Sequence, residues 1–435
     1  MFKTVSNIFR VADLRKKILF TLGILIVYRI GSFIPVPFVD TEFLETIDRS
    51  QQGDIFGLLN VFSGGALFSF SIFAMGIMPY ITASIIVQLL TMDVIPKFAE
   101  WAKQGEMGRR KLAQFTRYGT VVLGLIQAYG MSIGFNTQYS YQMLTETSFG
   151  AYTLIAIVLT AGTAFLMWLG EQITEKGIGN GISILIFAGI VAGIPTAIRQ
   201  IYVTLFMGDA ANAIFLNIVK AVLIIVVVLA IVAGVIFVQQ GVRKIPVQYA
   251  KRIVGRKMYG GQSTHIPLKV NAAGVIPVIF ALSLLMFPVT IASFWQDTLW
   301  AQWIIDNLYY DAPLGMVLYI LLIIAFTYFY TFVQFNPVQI ADQLKKNGGY
   351  IPGIRPGKTT STYLTRIMTR LTLTGSLFLA AVSILPIFFA SVAGLPQSVS
   401  IGGTSLLIVV GVALDTMKQV ESQLIKRHYK GFITK

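Results

Sequence analysis

Long apolar runs recur along the whole chain and are separated by short polar or charged stretches. A membrane-crossing helix needs roughly 20 predominantly apolar residues, and ten runs are about that long. The pattern therefore predicts ten transmembrane helices, at about 18–37, 73–92, 117–135, 150–170, 181–204, 213–239, 271–293, 313–336, 367–390 and 401–420. An even number of spans places both termini on the same side of the membrane.

Charge sorts the connecting segments into two alternating classes. Only 12% of the residues are charged, against about 25% in soluble proteins. The terminal segments and every second loop together hold 30 of the 34 basic residues and carry +21, whereas the alternate loops carry −8. Arg29 and Lys220, near span ends, supply the rest of the net +15. Because cytosolic loops are enriched in Lys and Arg, both termini are predicted to be cytosolic.

Several classes of function are disfavoured by the residues that the spans lack. The chain has no Cys, and its two His, His265 and His428, fall in basic segments. An intramembrane enzyme needs a nucleophile with a base or a metal site, so we expect no enzyme, cofactor or metal. Secondary transporters usually carry a midplane ionisable group, and the middle of nearly every span has none. Basic residues precede the first apolar run, but no small-residue cleavage site follows it. We therefore expect a retained first span and not a removed signal peptide.

Residues 55–92 are too long and too interrupted for one helix. Gly64, Gly65, Gly76 and Pro79 break the run, since Gly weakens helix interiors and Pro removes a backbone donor. We expect a short re-entrant piece followed by a full span. Broken backbone at membrane depth is tolerated where it lines a cavity. An amphipathic helix on the membrane surface is the alternative.

A second glycine-rich stretch, GIGNGIS at 177–183, is predicted to be a tight turn with Asn180 capping span five, because no strand precedes it as a dinucleotide site requires.

Two pairs of segments repeat within the chain. GIMPYITA at 76–83 resembles GVIPVIFA at 274–281, and GISILIFAG at 181–189 resembles GTSLLIVVG at 403–411. The pairs relate spans two and seven, then five and ten. They imply two five-span halves inserted in opposite orientations, with the functional site at their interface. The predicted divisions are 1–204, 205–420 and a cytosolic tail at 421–435.

Six isoleucines occupy related positions in this repeat: Ile81, Ile85, Ile186, Ile190, Ile279 and Ile408. The alignment pairs Ile81 with Ile279 and Ile186 with Ile408, and the other two lie one turn further along the same faces. A ring of branched apolar side chains would make a dewetting constriction. Isoleucine is common in any span, however, and spacing alone favours ordinary helix packing.

Two long basic loops, 240–270 and 337–366, differ from simple connections. Each is longer than a connection requires and combines its charges with Gly, Pro and Tyr, which favours a shaped projection. RNA phosphates, acidic protein surfaces and anionic lipid are candidate partners. The alternative is that these loops only set the topology.

Motifs along the whole chain resemble the SecY family, the channel subunit of the bacterial Sec translocon. They are GGALFSFSIFAMGIMPYITASIIVQLL, EWAKQGEMGRRKLAQFTRY, GNGISILIFAGIVAGIP, QSTHIPLKVNAAGVIPVIFA, GGYIPGIRPGKTT and GGTSLLIVVGVALD. The resemblance implies an all-α membrane protein of the bacterial cytoplasmic membrane. It implies a ten-helix clamshell with an hourglass pore between halves 1–5 and 6–10. This passive channel would pass unfolded polypeptides across the membrane and membrane segments laterally into it.

The same resemblance assigns roles to residues. The six isoleucines would form the pore ring. The plug would be the segment at about 56–71, including Phe56, Asn60, Phe62, Gly64, Gly65 and Ser71. A lateral gate would lie between spans two and three and spans seven and eight, near Gln88, Gln127 and Asn271. Docking of the SecA motor and the ribosome would use Lys251, Arg252, Arg256, Lys257 and Arg355.

Partners are implied by the resemblance as well. They are the SecE and SecG subunits, SecA, the ribosome, signal sequences, translocating polypeptides and membrane lipid. The chain shows no nucleotide-binding loop, so energy for transport would come from a partner or from the proton-motive force.

Overall fold

The computed structural model describes residues 11–46, 60, 63–91, 95–138, 143–207, 214–249, 252–254, 257–259, 263–292, 295, 298–309, 312–393 and 402–430. The protein is mostly helical over these residues. The helices of the first half are α1 Ala12–Gly31, α2 Thr41–Thr46, α3 Met78–Leu90, α4 Pro96–Lys103, α5 Glu106–Gln138, α6 Phe149–Lys176 and α7 Gly181–Phe206. Those of the second half are α8 Ile214–Gln240, α9 Ile276–Ala292, α10 Leu299–Leu308, α11 Pro313–Gln334, α12 Pro337–Lys346, α13 Lys358–Ala393 and α14 Gly402–Lys430.

Each of the ten predicted spans falls on one of these helices. In the described part of the chain, six helices are long and apolar enough to cross a membrane, namely α5, α6, α7, α8, α11 and α13. The shorter helices α3 and α9 are apolar as well. Large apolar side chains on α8, such as Phe215 and Phe237, are 81% exposed, which suits a surface that faces lipid. The chain is therefore a multi-pass membrane protein, and the count of ten spans stays a prediction.

Several predicted boundaries are wrong because hydropathy reports only the apolar part of a helix. Helix α5 begins at Glu106 and not at 117, since the intervening Arg, Lys and Glu residues are good helix formers. Helix α13 begins at Lys358, within the predicted loop 337–366. Helix α14 continues through the predicted tail to Lys430.

The helices pack as two groups that meet along two seams. Helices α1, α3, α5, α6 and α7 pack among themselves, as do α8, α9, α11, α13 and α14. Between the groups, α9 contacts α3 and α5, whereas α7 contacts α8 and α14. The helices that carry the repeated motifs therefore lie at the contact between the groups.

The first repeated motif has the same local geometry in both copies. Gly76 and Gly274 adopt positive φ angles of 54° and 65°, a region that L side chains rarely occupy. A helix begins two residues later in each case, α3 at Met78 and α9 at Ile276. Pro79 stands in the first turn of α3, where its missing N–H costs no hydrogen bond. This explains why α3 begins at Met78 and not at the predicted position 73.

The two long basic loops fold together as one unit, the loop module. Strands β1 Val242–Tyr249 and β4 Ser263–Lys269 of the first loop pair antiparallel, and β5 Gly349–Tyr350 of the second loop adds to the other edge of β1. Between β1 and β4, the first loop forms a small hairpin of β2 Arg252–Val254 and β3 Lys257–Tyr259. A buried cluster under the sheet joins both loops to α12 and α13: Ile245, Val247, Leu268, Leu344, Ile351, Leu364, Ile367 and Met368. The sequence predicted two projections and did not predict that they fold together.

Candidate functional site

The six isoleucines lie in one buried hydrophobic cluster. Ile81 and Ile85 come from α3 and the others from α7, α9 and α14, so both halves of the chain contribute. Their exposed fractions run from 0% for Ile408 to 6% for Ile279. Branched apolar side chains from both halves of the chain therefore share one buried cluster.

Residues 63–77 form a buried series of turns directly ahead of α3. Gly64 and Gly65 adopt φ angles of 69° and 89°, so the predicted break in the helix is confirmed. Asn60 organises the start of the segment: its Oδ1 accepts a hydrogen bond from the backbone N–H of Phe68 (3.0 Å), and its carbonyl accepts one from that of Gly65 (2.9 Å). The side chain of Ser71 is fully buried. Phe56 and Phe62, assigned to the same segment by resemblance, lie outside the described residues.

This segment is held against two helices of the first half. Tyr28 of α1 donates its hydroxyl proton to the carbonyl of Ser63 (3.0 Å), and the Arg29 guanidinium donates to the carbonyl of Gly64 (2.7 Å). On the other side, a Cβ on Gly64 would lie 2.8 Å from the Cα of Gly189 in α7. The segment therefore packs backbone to backbone one residue before Ile190.

A narrow crevice of about 40 Å³ separates α3 and α5 from α9. Gln127 lines it, together with Thr82 and Ser283 and with four methionines: Met75, Met78, Met131 and Met286. Sequence reasoning selected only Gln127 from this group. Four of the chain's 14 methionines gather in and beside the predicted gate spans, and that enrichment was the available signal.

Gln88 and Asn271, the other two predicted gate residues, lie outside the lining of this crevice. Gln88 lies near the end of α3 and donates from Nε2 to Ser84 Oγ (3.3 Å). Asn271 is buried ahead of α9, where its Nδ2 donates to the carbonyl of Gly274 (2.9 Å) and stabilises the positive-φ turn. It packs against α13, since a Cβ on Gly375 would lie 3.7 Å from its Cα. Asn271 therefore positions the start of α9 and does not line the crevice.

A larger polar cavity of about 610 Å³ opens beside the isoleucine cluster. Its lining includes Tyr80, Arg117, Glu171 and Ile182, the last being one turn ahead of Ile186. Arg117 of α5 and Glu171 of α6 make a bidentate ion pair, with N–O distances of 2.8 and 2.9 Å. At the mouth, the side chain of Asn180 accepts hydrogen bonds from the backbone N–H groups of residues 182 and 183, which confirms the predicted cap.

The predicted docking residues belong to the loop module. Arg355 is exposed, and its carbonyl accepts a hydrogen bond from Thr360 Oγ1 (2.8 Å) in the first turn of α13. Arg252 and Lys257 stand on the paired strands β2 and β3. Lys251 and Arg256 lie outside the described residues.

A family model described as SecY matches residues 71–417. The chain belongs to the SecY family. A protein translocase subunit SecY from Halalkalibacterium halodurans is 67% identical over 434 residues, and one from Bacillus subtilis (strain 168) is 63% identical over 433 residues. Both alignments cover 100% of this chain and of the relative. The predicted resemblance is therefore confirmed over the full length.

Solved structures share the SecY fold at low sequence identity. A protein-conducting channel matches with 19% identity and a TM-score of 0.62, covering 94% of this chain and 93% of the other. A SecY structure described for its plug domain matches with 19% identity and a TM-score of 0.59 over 94% and 92% of the two chains. Canine Sec61 in a ribosome–channel complex matches with 18% identity and a TM-score of 0.58 over 94% and 93%. At this identity, the likeness establishes the fold.

Proposed function

We propose that this chain is the channel-forming subunit of a bacterial protein translocase, a ten-helix clamshell with both termini in the cytosol. It would pass unfolded secretory polypeptides across the cytoplasmic membrane and membrane segments laterally into it. The isoleucine cluster carries the proposal, because both inverted halves contribute to one apolar constriction. Such a ring excludes water and ions by dewetting, and it deforms around a chain of any sequence without binding particular side chains.

The segment at about 56–71, whose described residues are Asn60 and 63–71, forms the plug of this channel at rest. Its buried position against α7, one residue from Ile190, supports this role. The name of the SecY structure cited above states that its plug domain stabilises the closed state and maintains a membrane seal. A plug that leads into α3 would be displaced when α3 moves.

The crevice between α3, α5 and α9 is the lateral gate of the proposed channel. A signal sequence is an apolar helix, and it would separate these helices while contacting lipid. Methionine side chains are flexible and polarisable, so a surface rich in them adapts to many partners. Four methionines at this seam suit signal sequences that differ in their side chains.

The loop module is the docking site for a motor or a ribosome on the cytosolic side of the membrane. It has its own core and presents exposed basic residues, including Arg355 in the turn between β5 and α13. Binding of SecA there would supply the energy that a passive pore lacks, and SecE and SecG would complete the complex. Canine Sec61, which shares the fold, is described in a complex with the ribosome, and the ribosome is therefore a candidate partner for this surface.

Cross-linking tests the pore directly, because the chain has no Cys of its own. A single Cys replacing Ile81 or Ile279 should capture a stalled secretory polypeptide that carries a thiol-reactive probe. A Cys replacing Leu229 of α8, which is 62% exposed on the surface assigned to lipid, is the control and should capture none. Equal capture at Leu229 and Ile81 would place the polypeptide outside the isoleucine ring.

A further inference from the structure

Arg29 is an unusual residue for its place in the chain. It lies near the end of α1, on the side of the membrane that the charge pattern predicts to be external, whereas 30 of the 34 basic residues lie on the other side. An ionisable side chain at membrane depth is costly and commonly marks a functional position. Among the described residues, no carboxylate pairs with Arg29. Its guanidinium lies over the ring of Phe33 (5.1 Å) and donates to the carbonyl of Gly64.

Tyr28 makes the matching contact one residue earlier. Its hydroxyl is buried and donates to the carbonyl of Ser63, while its ring packs beside Phe73 with centroids 6.1 Å apart. Two adjacent side chains of α1 thus hold two adjacent carbonyls of the turn segment. Both acceptors are main-chain atoms, so these two hydrogen bonds do not depend on which side chains the segment carries.

We propose that Tyr28 and Arg29 form a latch that holds the 63–77 segment in its closed position and sets the threshold for opening the channel. The inference rests on the proposed function, in which residues 63–71 of this segment belong to the plug. Helix α1 packs on α6 and α7, away from the seam between α3 and α9. The segment itself continues into α3. A separation of α3 from α9 would pull on the segment while the latch resists, so opening would require these two hydrogen bonds to break.

Single substitutions test the hydrogen bonds of Tyr28 and Arg29 one at a time. Tyr28→Phe removes one donor and keeps the ring on Phe73, and a buried hydrogen bond is worth about 2- to 10-fold in an equilibrium constant. Arg29→Gln removes a charge-assisted bond, which is worth about 10- to 100-fold. Arg29→Lys keeps a charged donor and should restore most of the closed population. The population of open channels should therefore be lowest in the wild type and rise through Arg29→Lys and Tyr28→Phe to Arg29→Gln.

The experiment uses the full chain, assembled with its companion subunits in proteoliposomes. It measures ion leak at rest and transport of a precursor with a defective signal sequence. Tyr152→Phe is the matched control: its hydroxyl accepts a hydrogen bond from Asn136 Nδ2 (3.0 Å) and not from residues 63–77. Its ring packs in the cluster that holds Leu67 and Phe70, and Phe preserves that packing. We expect leak and acceptance of the defective precursor to rise for Tyr28→Phe and Arg29→Gln, and to stay at the wild-type level for Tyr152→Phe.

Ile408→Asn, measured in parallel, distinguishes a failure of the latch from a failure of the proposed pore. If Ile408→Asn leaks and both latch variants stay tight and selective, the latch is refuted and the pore stands. If Ile408→Asn is tight as well, the proposed pore has failed and the latch fails with it. Tyr28→Phe decides the matter even where Arg29→Gln lowers the amount of folded protein, because the Phe ring preserves the packing.

Discussion

Gly64 and Gly189 lie in backbone contact, so that a Cβ on Gly64 would be 2.8 Å from the Cα of Gly189. The contact brings the turn segment ahead of α3 against α7, beside Ile190 of the isoleucine cluster. Gly64 also needs its positive φ of 69°, which disfavours any other residue. Closure of the proposed channel therefore depends on two positions without side chains.

Gly189→Ala should loosen the closed state. The new methyl group would lie 3.1 Å from Tyr28 Oη and 3.2 Å from the backbone nitrogen of Gly64, so Tyr28 or the segment must move by a few tenths of an ångström, which weakens the contact in the closed state. Ion conductance of reconstituted channels should rise. Gly193→Ala is the control on the same helix, since nothing lies within 4 Å of its Cβ. Helix propensity there should raise stability by up to about 1 kcal/mol, with conductance unchanged.

Ile408→Asn and Ile81→Asn should each relax the closed pore. An amide placed in the apolar cluster costs about 1–3 kcal/mol when it finds no partner, and the cost falls on the closed state, where Ile408 is fully buried. Both variants should leak ions and transport precursors with defective signal sequences. Ile408→Leu conserves volume and polarity and should behave like the wild type. Variants with full ion tightness and signal stringency would falsify the ring assignment.

Met286→Ile should narrow the range of accepted signal sequences. The change keeps an apolar side chain but makes the wall of the crevice stiffer, because β-branched residues have restricted χ1 angles. Transport rates measured across a panel of signal sequences should spread further apart. Met143→Ile is the control, a buried methionine that does not line the crevice. An equal spread for both variants would remove the crevice from signal recognition.

Leu364→Ala should loosen both basic loops together. Leu364 is 1% exposed in the core of the loop module, and truncating a buried leucine costs about 2–5 kcal/mol. Limited proteolysis should then cut loops 240–270 and 337–366 with the same increase in rate. Leu373→Ala changes a residue that is 46% exposed and should leave both rates unaltered. Cutting in one loop alone would contradict the single module.

Arg355→Glu should abolish SecA-driven transport and leave membrane insertion of the chain intact. The side chain is exposed, so charge reversal alters the proposed docking surface without disturbing the core. Lys358→Glu makes the same change of charge one turn away, at the start of α13, where a carboxylate is favoured. Its transport should stay close to the wild-type rate. SecA-dependent ATP hydrolysis and precursor uptake measure both variants, and normal uptake by Arg355→Glu would remove this residue from the mechanism.

Patterns within short stretches of sequence determined much of the architecture. Apolar runs located the helices, and Gly64, Gly65 and Pro79 located the break ahead of α3. The repeated motif correctly related Gly76 to Gly274, because a positive φ followed by a helix start is a local property of a few residues. Asn180 was predicted as a cap for the same reason.

Only the tertiary structure decided which distant positions meet. The pairing of β1 with β5, the contact of Gly64 with Gly189 and the bonds from Tyr28 and Arg29 to the turn segment join residues far apart in the chain. These contacts are made to backbone atoms or to glycines, and such partners leave no side-chain pattern in the sequence. The resemblance places Asn271 near the lateral gate, which stays a prediction, and the tertiary structure adds that it packs against α13 and donates to the carbonyl of Gly274. Polarity and periodicity act locally, whereas these contacts depend on how helices pack across the whole fold.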